Sequence, residues 1–191
     1  MRTILPAVLL AAACTAHAAP TTWQFAYTGF YATVDTDNLY EGSTHWEGFL
    51  PEYTVSGSFT GSDLDGDGAI ALNELTGFDV MGRDYMSCMA YPSPYGRCTI
   101  SRFRYALTGD LDFSAGWYGY DEYFSGWSGS VTSGREATSY SYGYQSADDR
   151  HYTWTDATMF AIVPAPVPEP ATGAMAAAGL LLLAVGARRR A

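Results

Sequence analysis

Tyr53-Thr54-Val55-Ser56-Gly57-Ser58-Phe59-Thr60 combines Thr, Tyr, Val and Phe with small polar residues, the composition of a β-strand with one wet face. Trp23-Gln24-Phe25-Ala26-Tyr27-Thr28 and His151-Tyr152-Thr153-Trp154-Thr155-Asp156-Ala157-Thr158-Met159-Phe160 read the same way. Arg102 to Thr108, Trp127 to Thr132 and Thr138 to Tyr144 add three candidates, set apart by Gly, Asp and Ser turns. Six or more strands with no long helical pattern between them predict an all-β domain. Half-polar strands need a second layer on one side only, so the expected architecture is an antiparallel β-sandwich. The likeness between Val55 to Gly61 and Trp127 to Ser133 reflects shared strand composition, not a repeat.

An acidic insert follows the second of these strands: Asp63-Leu64-Asp65-Gly66-Asp67-Gly68-Ala69-Ile70-Ala71-Leu72-Asn73-Glu74. Carboxylates stand at its first, third, fifth and twelfth positions, Gly68 at the sixth and Ile70 at the eighth, a spacing that resembles the EF-hand calcium loop. Alternate carboxylates on a tightly wound loop converge on one centre. Gly68 permits the sharp turn, Ala69 offers its backbone carbonyl, and Glu74 closes the shell with two oxygens. Ala71, at the ninth position, has no side-chain oxygen, and a water is expected there. Asp63, Asp65, Asp67, Ala69 and Glu74 are thus the candidate metal ligands, with Ca2+ as the expected structural cofactor.

The flanks depart from an EF-hand. A Thr-, Ser- and Gly-rich strand enters the loop, and Ala71 to Thr76 has room for a helical turn or two before Gly77. A single copy does not imply the opening of paired helices that drives EF-hand sensors. Dockerin modules are similar in loop chemistry but carry two loops and helices, so cohesin binding is not implied. The rival reading is an Asp/Gly-rich turn that binds nothing, although four carboxylates within twelve residues repel one another without a cation. The loop is expected to set the join between a strand ending near Thr60 and one starting near Phe78, with a calcium affinity near ~10⁻⁴ to 10⁻³ M.

The two ends read as targeting segments. Arg2, the apolar run Ile4 to Ala13 and Ala16-His17-Ala18 form the pattern of a secretory signal peptide over residues 1–18. Cys14 after Ala11-Ala12-Ala13 offers lipoprotein processing as the alternative, with an alanine where a large aliphatic residue is usual. Residues 19–162 then form the β-sandwich domain, 163–170 a Pro-rich linker, and 171–191 a single transmembrane helix with an Arg-rich end. Ala171 to Ala187 carries no charge and reaches roughly 25 Å, the lower edge of a spanning helix. Gly173, Gly179 and Gly186 weaken it, and the terminal arginines set its C-terminal end on the cytoplasmic side. A buried core helix would instead have to bring Arg188 to Arg190 to solvent.

Val167-Pro168-Glu169-Pro170, the apolar run and Arg188-Arg189-Arg190 together resemble the PEP-CTERM sorting signal of exported Gram-negative bacterial proteins. The resemblance covers the tail alone. It implies export through the Sec machinery, a transient hold in the inner membrane, and recognition of Pro168, Glu169 and Pro170 by an exosortase-like transpeptidase. It also implies release to the outer envelope or extracellular space. PEP-CTERM proteins tend to accompany exopolysaccharide production, which makes exopolysaccharide the alternative partner.

Charge narrows the partners further. Between Ala19 and Val167, nineteen carboxylates stand against six arginines, a net charge near minus thirteen, and the chain has no lysine. Phosphate backbones require clustered positive charge, so nucleic acid is excluded as a partner. An acidic surface gathers divalent cations or keeps copies apart. Cys88 and Cys98 enclose a Pro- and Gly-containing stretch and are expected to form a disulfide in an oxidising compartment. Zinc would need more ligands than His17, His45 and His151, which are scattered, and a redox pair would normally be closer in sequence.

Catalytic patterns are absent from the reading. Gly126-Trp127-Ser128-Gly129-Ser130 places glycine directly after the serine and fails the nucleophile-elbow pattern. Asp121-Glu122 and Asp148-Asp149 are adjacent acids, whereas glycoside cleavage needs carboxylates opposed at ~5 to 10 Å. The other feature is aromatic: Trp117, Tyr118, Tyr120, Tyr123, Phe124, Trp127, Tyr140, Tyr142 and Tyr144 crowd one third of the chain. Such rings can stack on sugars, but they also stabilise sheets as cross-strand pairs. The expectation is an exported, calcium-stabilised, non-enzymatic surface or matrix component, with a lectin-like exopolysaccharide binder as the alternative and a glycan-active enzyme third.

Overall fold

Residues 20–165 are described by a computed structural model of the chain. Their strands are β1 (Thr21–Asn38), β2 (Gly42–Gly61), β3 (Ala69–Ala71), β4 (Leu75–Val80), β5 (Arg83–Asp84), β6 (Gly96–Ala106), β7 (Leu111–Tyr120), β8 (Gly126–Thr132), β9 (Glu136–Tyr142), β10 (Ser146–Thr153) and β11 (Met159–Pro164). A short helix, α1 (Tyr85–Ala90), and a 3-10 turn at Leu72–Glu74 complete the elements. The strands pair antiparallel in one sheet of order β3-β6-β7-β8-β9-β10-β1-β2-β4-β5, with β11 beside the first half of β1.

The hairpin β1–β2 forms the spine. Along β1, Phe25 and Tyr27 are buried, then Phe30 and Ala32, so the inward parity changes between residues 27 and 30. The register shifts between Thr28 and Phe30, where Gly29 sits at φ +89°. An extra residue at a bulge lets a strand keep its apolar side chains on one face while it bends. Beyond the bulge β1 pairs with β10, and before it with β11.

Strands at opposite ends of the sheet order meet through their rings. Phe25 of β1 lies 5.4 Å from Phe113 of β7, Phe59 of β2 lies 5.1 Å from Phe103 of β6, and Phe78 of β4 lies 5.3 Å from each of Phe103 and Phe113. Strands so far apart in hydrogen-bond order touch face to face only if the sheet curls over itself. The all-β antiparallel expectation holds. The two layers are halves of one continuous curled sheet, sandwich-like in packing, because the bulged spine lets the sheet supply its own second layer.

Local differences from the sequence reading have physical causes. The stretch His151 to Phe160 is two strands, broken where Thr158 donates its N–H to the Thr155 carbonyl at 2.9 Å and its hydroxyl oxygen accepts from the Thr155 N–H. β11 runs two residues past Ile162, pairing Val163 with Gln24 and Pro164 with Trp23. Cys88 lies on α1 and Cys98 on β6, joined by a disulfide with Cα atoms 5.7 Å apart. By the chain-entropy estimate a loop of that size is worth roughly 3 kcal/mol.

Among the described residues, the Tyr85 hydroxyl and Trp154 Nε1 are buried without a hydrogen-bond partner. Burial raises the Tyr85 pKa far above the usual phenol value. Two substitutions therefore separate packing from polarity in urea unfolding. Phe113→Ala should cost about 3–5 kcal/mol by emptying the ring cluster. Tyr85→Phe should hold or raise stability by about 1 kcal/mol, since it deletes an unpaired buried hydroxyl.

Candidate functional site

The loop between β2 and β3 is wound by its own aspartates. Asp63 Oδ1 accepts the N–H of Gly66 at 2.7 Å and of Asp67 at 3.1 Å, and Oδ2 accepts that of Gly68 at 3.0 Å. Asp65 accepts from Asp67, and Asp67 from Ala69 at 2.8 Å. Such Asx turns draw the chain around the carboxylates, and Gly66 and Gly68 take the left-handed conformations that result, at φ +78° and +82°. One ligand-capable oxygen from each of Asp63, Asp65 and Asp67 lies within 4.8 Å of the others.

Glu74 sits differently. It is buried at 5 % exposure, with Oε1 accepting the Leu64 N–H at 2.7 Å and Oε2 the Ala71 N–H at 2.9 Å. Those backbone donors, Ala71 first and Leu64 second, hold its pKa below the usual carboxylate value. A carboxylate has about four acceptor sites, so a single N–H on each oxygen leaves lone pairs available. Ala69 opens β3 opposite Ala106 of β6, and Ile70 is fully buried. A Cβ on Gly61 would come within 2.7 Å of Ile70 Cγ2 and 2.8 Å of the Glu74 carbonyl, so the end of β2 must be glycine for the loop to close on the core. A strand enters the loop and one 3-10 turn leaves it.

The acidic pairs are dispersed. Asp121 accepts the N–H groups of Tyr123 and Ser125, and Glu122 accepts the Tyr95 hydroxyl at 2.5 Å. Asp148 binds Arg150 through both oxygens, and Asp149 lies 3.3 Å from His151. Alternation along β10 sends those two aspartates to opposite faces. Ser128 sits between Tyr118 and Tyr140 in cross-strand register, as Gly126 sits between Tyr120 and Tyr142. These four tyrosines are exposed on one face, with Tyr140 and Tyr142 5.8 Å apart. Trp117 and Trp127 belong to the opposite face by the same alternation, and Trp117 is half-buried against Tyr85.

Two features escaped the sequence reading. His45 and His151, far apart in the chain, come to one face: His45 pairs across β2 and β1 with Asp35, which pairs with Asp149 beside His151. Arg83 and Arg97 also border one cavity beside the disulfide, Arg83 over the Trp117 ring and Arg97 in register with Tyr118 on the other face of the sheet. Their position just outside and just inside the Cys88 to Cys98 interval was the available signal.

Residues 166–190 match the PEP-CTERM protein-sorting motif. That motif marks an exported precursor, routed to the cell surface through the Sec machinery and sorted by an exosortase. Pro168, Glu169, Pro170, Arg188, Arg189 and Arg190 fall within the match and outside the described residues. The signal peptide expected at 1–18 and the apolar run from Ala171 also lie outside them. Among the described residues no helix is long and apolar enough to cross a membrane. No match to a curated protein or to a solved structure was found.

The exposed pair His45–Asp35 gives a pH signature. Asp35 Oδ1 lies 2.6 Å from His45 Nδ1, and this hydrogen bond, followed by the Asp35 charge, raises the His45 pKa above 6.5. The stabilisation is complete below the ordinary imidazole pKa and is lost as pH rises through the raised value. An NMR titration of His45 should give a midpoint above 6.5 that moves back toward 6.5 in Asp35→Asn. A midpoint unmoved by that substitution would dismiss the pair.

Proposed function

We propose that the domain is a non-enzymatic component of the cell surface or extracellular matrix, stabilised by one Ca2+ held in the loop Asp63 to Glu74. The observation that carries this reading is the convergence of Asp63, Asp65 and Asp67 within 4.8 Å on a loop already wound for it. All the donors there are hard oxygens, the chemistry that suits Ca2+ and Mg2+ over softer metals. The nearby cation, Arg104, reaches only Asp67, at 3.9 Å. Three facing carboxylates therefore repel one another, and a divalent ion relieves that repulsion most directly. Asp63, Asp65, Asp67, the Ala69 carbonyl and Glu74 would hold the ion. Its role would be structural, since the loop joins two strands, β2 and β3, and not the paired helices of an EF-hand sensor. Dispersal of the acidic pairs into turns and ion pairs favours a non-enzymatic role.

Carbohydrate binding is the second reading. It is favoured by the exposed tyrosines of β7 and β9, which form a polar aromatic face suited to sugar rings.

Thermal unfolding of the protein in millimolar Ca2+, in Mg2+ and in chelator tests the metal. Binding to the folded state alone at about 100 times Kd adds about 2.7 kcal/mol. A Ca2+-specific rise in Tm is expected, lost in Asp63→Asn and in Glu74→Gln. The same Tm in all three solutions would defeat the assignment.

A further inference from the structure

Three hairpin turns stand side by side at one end of the sheet: Leu39-Tyr40-Glu41 between β1 and β2, Gly143-Tyr144-Gln145 between β9 and β10, and Asp121 to Ser125 between β7 and β8. Asn38 pairs with Ser146 and Tyr142 with Gly126, so the turns follow one another along this rim. They also touch. The Leu39 N–H donates to the Gln145 carbonyl at 2.9 Å, Gln145 Nε2 donates to the Tyr40 hydroxyl at 3.2 Å, and a Cβ on Gly143 would lie 3.7 Å from Ser125 Oγ. Among the described residues the six most exposed large apolar side chains are Tyr91, Tyr144, Phe124, Tyr123, Tyr40 and Leu39, at 71–83 %. All but Tyr91 stand on these turns. Scattered singly such residues need no explanation, but gathered on one rim they mark a contact surface.

The turns are wound by their own side chains. Asn38 Oδ1 accepts the N–H groups of Tyr40 and Glu41, and Asp121 Oδ1 those of Tyr123 and Ser125, which lowers the ordering cost of binding. Phe124 holds φ +63°, a left-handed conformation that glycine would adopt without strain. At 82 % exposure its ring stands outside the core. Between the first two turns lies a recess of about 340 Å³. Asp37, Ala147 and Tyr142 stand in one cross-strand row beneath it, hence on one face of the sheet. Ala147 is too small to fill the gap between Asp37 and Tyr142, two strand spacings or about 10 Å across, and Leu39 and Tyr144 border it at the turns.

We propose that this rim binds a neutral polysaccharide chain. Aromatic rings take the apolar face of a pyranose, while tyrosine hydroxyls, carboxylates and the Gln145 amide meet its hydroxyl groups. Glu41, Asp121 and Glu122 stand on the turns, which carry no arginine, so a polyanion or an anionic lipid surface is repelled. The recess falls within the ~300–1,000 Å³ of small-ligand sites, and successive turns two strand spacings apart repeat the contact along a chain. The sorting motif begins just after Ala165, whose N–H donates to the Thr22 carbonyl at the opposite end of β1. A domain tethered through that segment would present the rim outward. The proposal rests on the carbohydrate reading above and adds the turns as the contact and a neutral chain as the ligand class; it does not use the calcium loop.

Affinity electrophoresis of the purified protein in hydroxyethylcellulose, dextran, galactomannan and polygalacturonate, together with flotation on phosphatidylcholine vesicles, tests the rim. Retention by at least one neutral polymer is expected, little changed by salt, with polygalacturonate weaker and no flotation. Tyr144→Ser and Tyr40→Ser should each lower that affinity at least about fivefold, as for an anchor at an interface, with Tm unchanged. Phe124→Gly should lower it similarly while Tm holds or rises, since glycine relieves the left-handed backbone; a merely structural ring would lower Tm. Tyr118→Ser and Tyr140→Ser report on the sheet face. Loss in those two with the turn variants unaffected would overturn the proposal and leave the tyrosine-face reading in place. No neutral polymer retained would overturn both. Stronger retention by polygalacturonate, or flotation with the vesicles in place of retention, would overturn the neutral chain as ligand.

Discussion

A single sheet with one apolar face must bury that face against something, and here it is buried against itself. The contacts of Phe25, Phe59 and Phe78 with Phe103 and Phe113 close the curl. Ring pairs of this kind add about 0.5–1.5 kcal/mol each beyond the area they bury. The bulge at Gly29 makes this closure compatible with one continuous spine, since the inward parity of β1 resets there. The site then follows from the closure: β3 lies on β6, and the acidic loop has to span from the end of β2 to that edge.

The loop is consequently a joint between core elements. Ile70 is fully buried two residues after Gly68, and Glu74 is buried while it ties Leu64 to Ala71. Its aspartates spend their first hydrogen bonds on winding the backbone, which leaves oxygen lone pairs facing a shared centre. Repulsion among them opposes the same closure that the buried residues favour. A divalent ion would reverse the sign of that electrostatic contribution, and for this reason a metal effect is expected in stability and not in shape.

Strand chemistry made the fold class legible. Val55 and Phe59 are buried in β2, and the Thr- and Tyr-rich composition of those segments reported it. Asp63, Asp65 and Asp67 stand at alternate positions of the loop, and one oxygen of each lies within 4.8 Å of the others. Curling was not legible, because it depends on which strands become neighbours and on the irregularity at Gly29, where one residue of β1 stands opposite three of β2. Nor was the break after Thr153, which a Thr155–Thr158 hydrogen bond makes inside an apparently continuous β pattern. The sorting tail was legible because it is a linear signal.

Sorting is thus marked by a short tail, while the domain supplies a stapled, acidic, aromatic-faced scaffold. The central proposal is a Ca2+ ion at the joint between β2 and β3. The most direct measurement is a crystal structure of the protein grown in millimolar Ca2+, with anomalous scattering to identify the ion. The account predicts one Ca2+ with oxygen ligands from Asp63, Asp65, Asp67 and Glu74, at about 2.3–2.6 Å. An ordered loop without an ion under those conditions, its Glu74 carboxylate bound only to the Leu64 and Ala71 N–H groups, would contradict it.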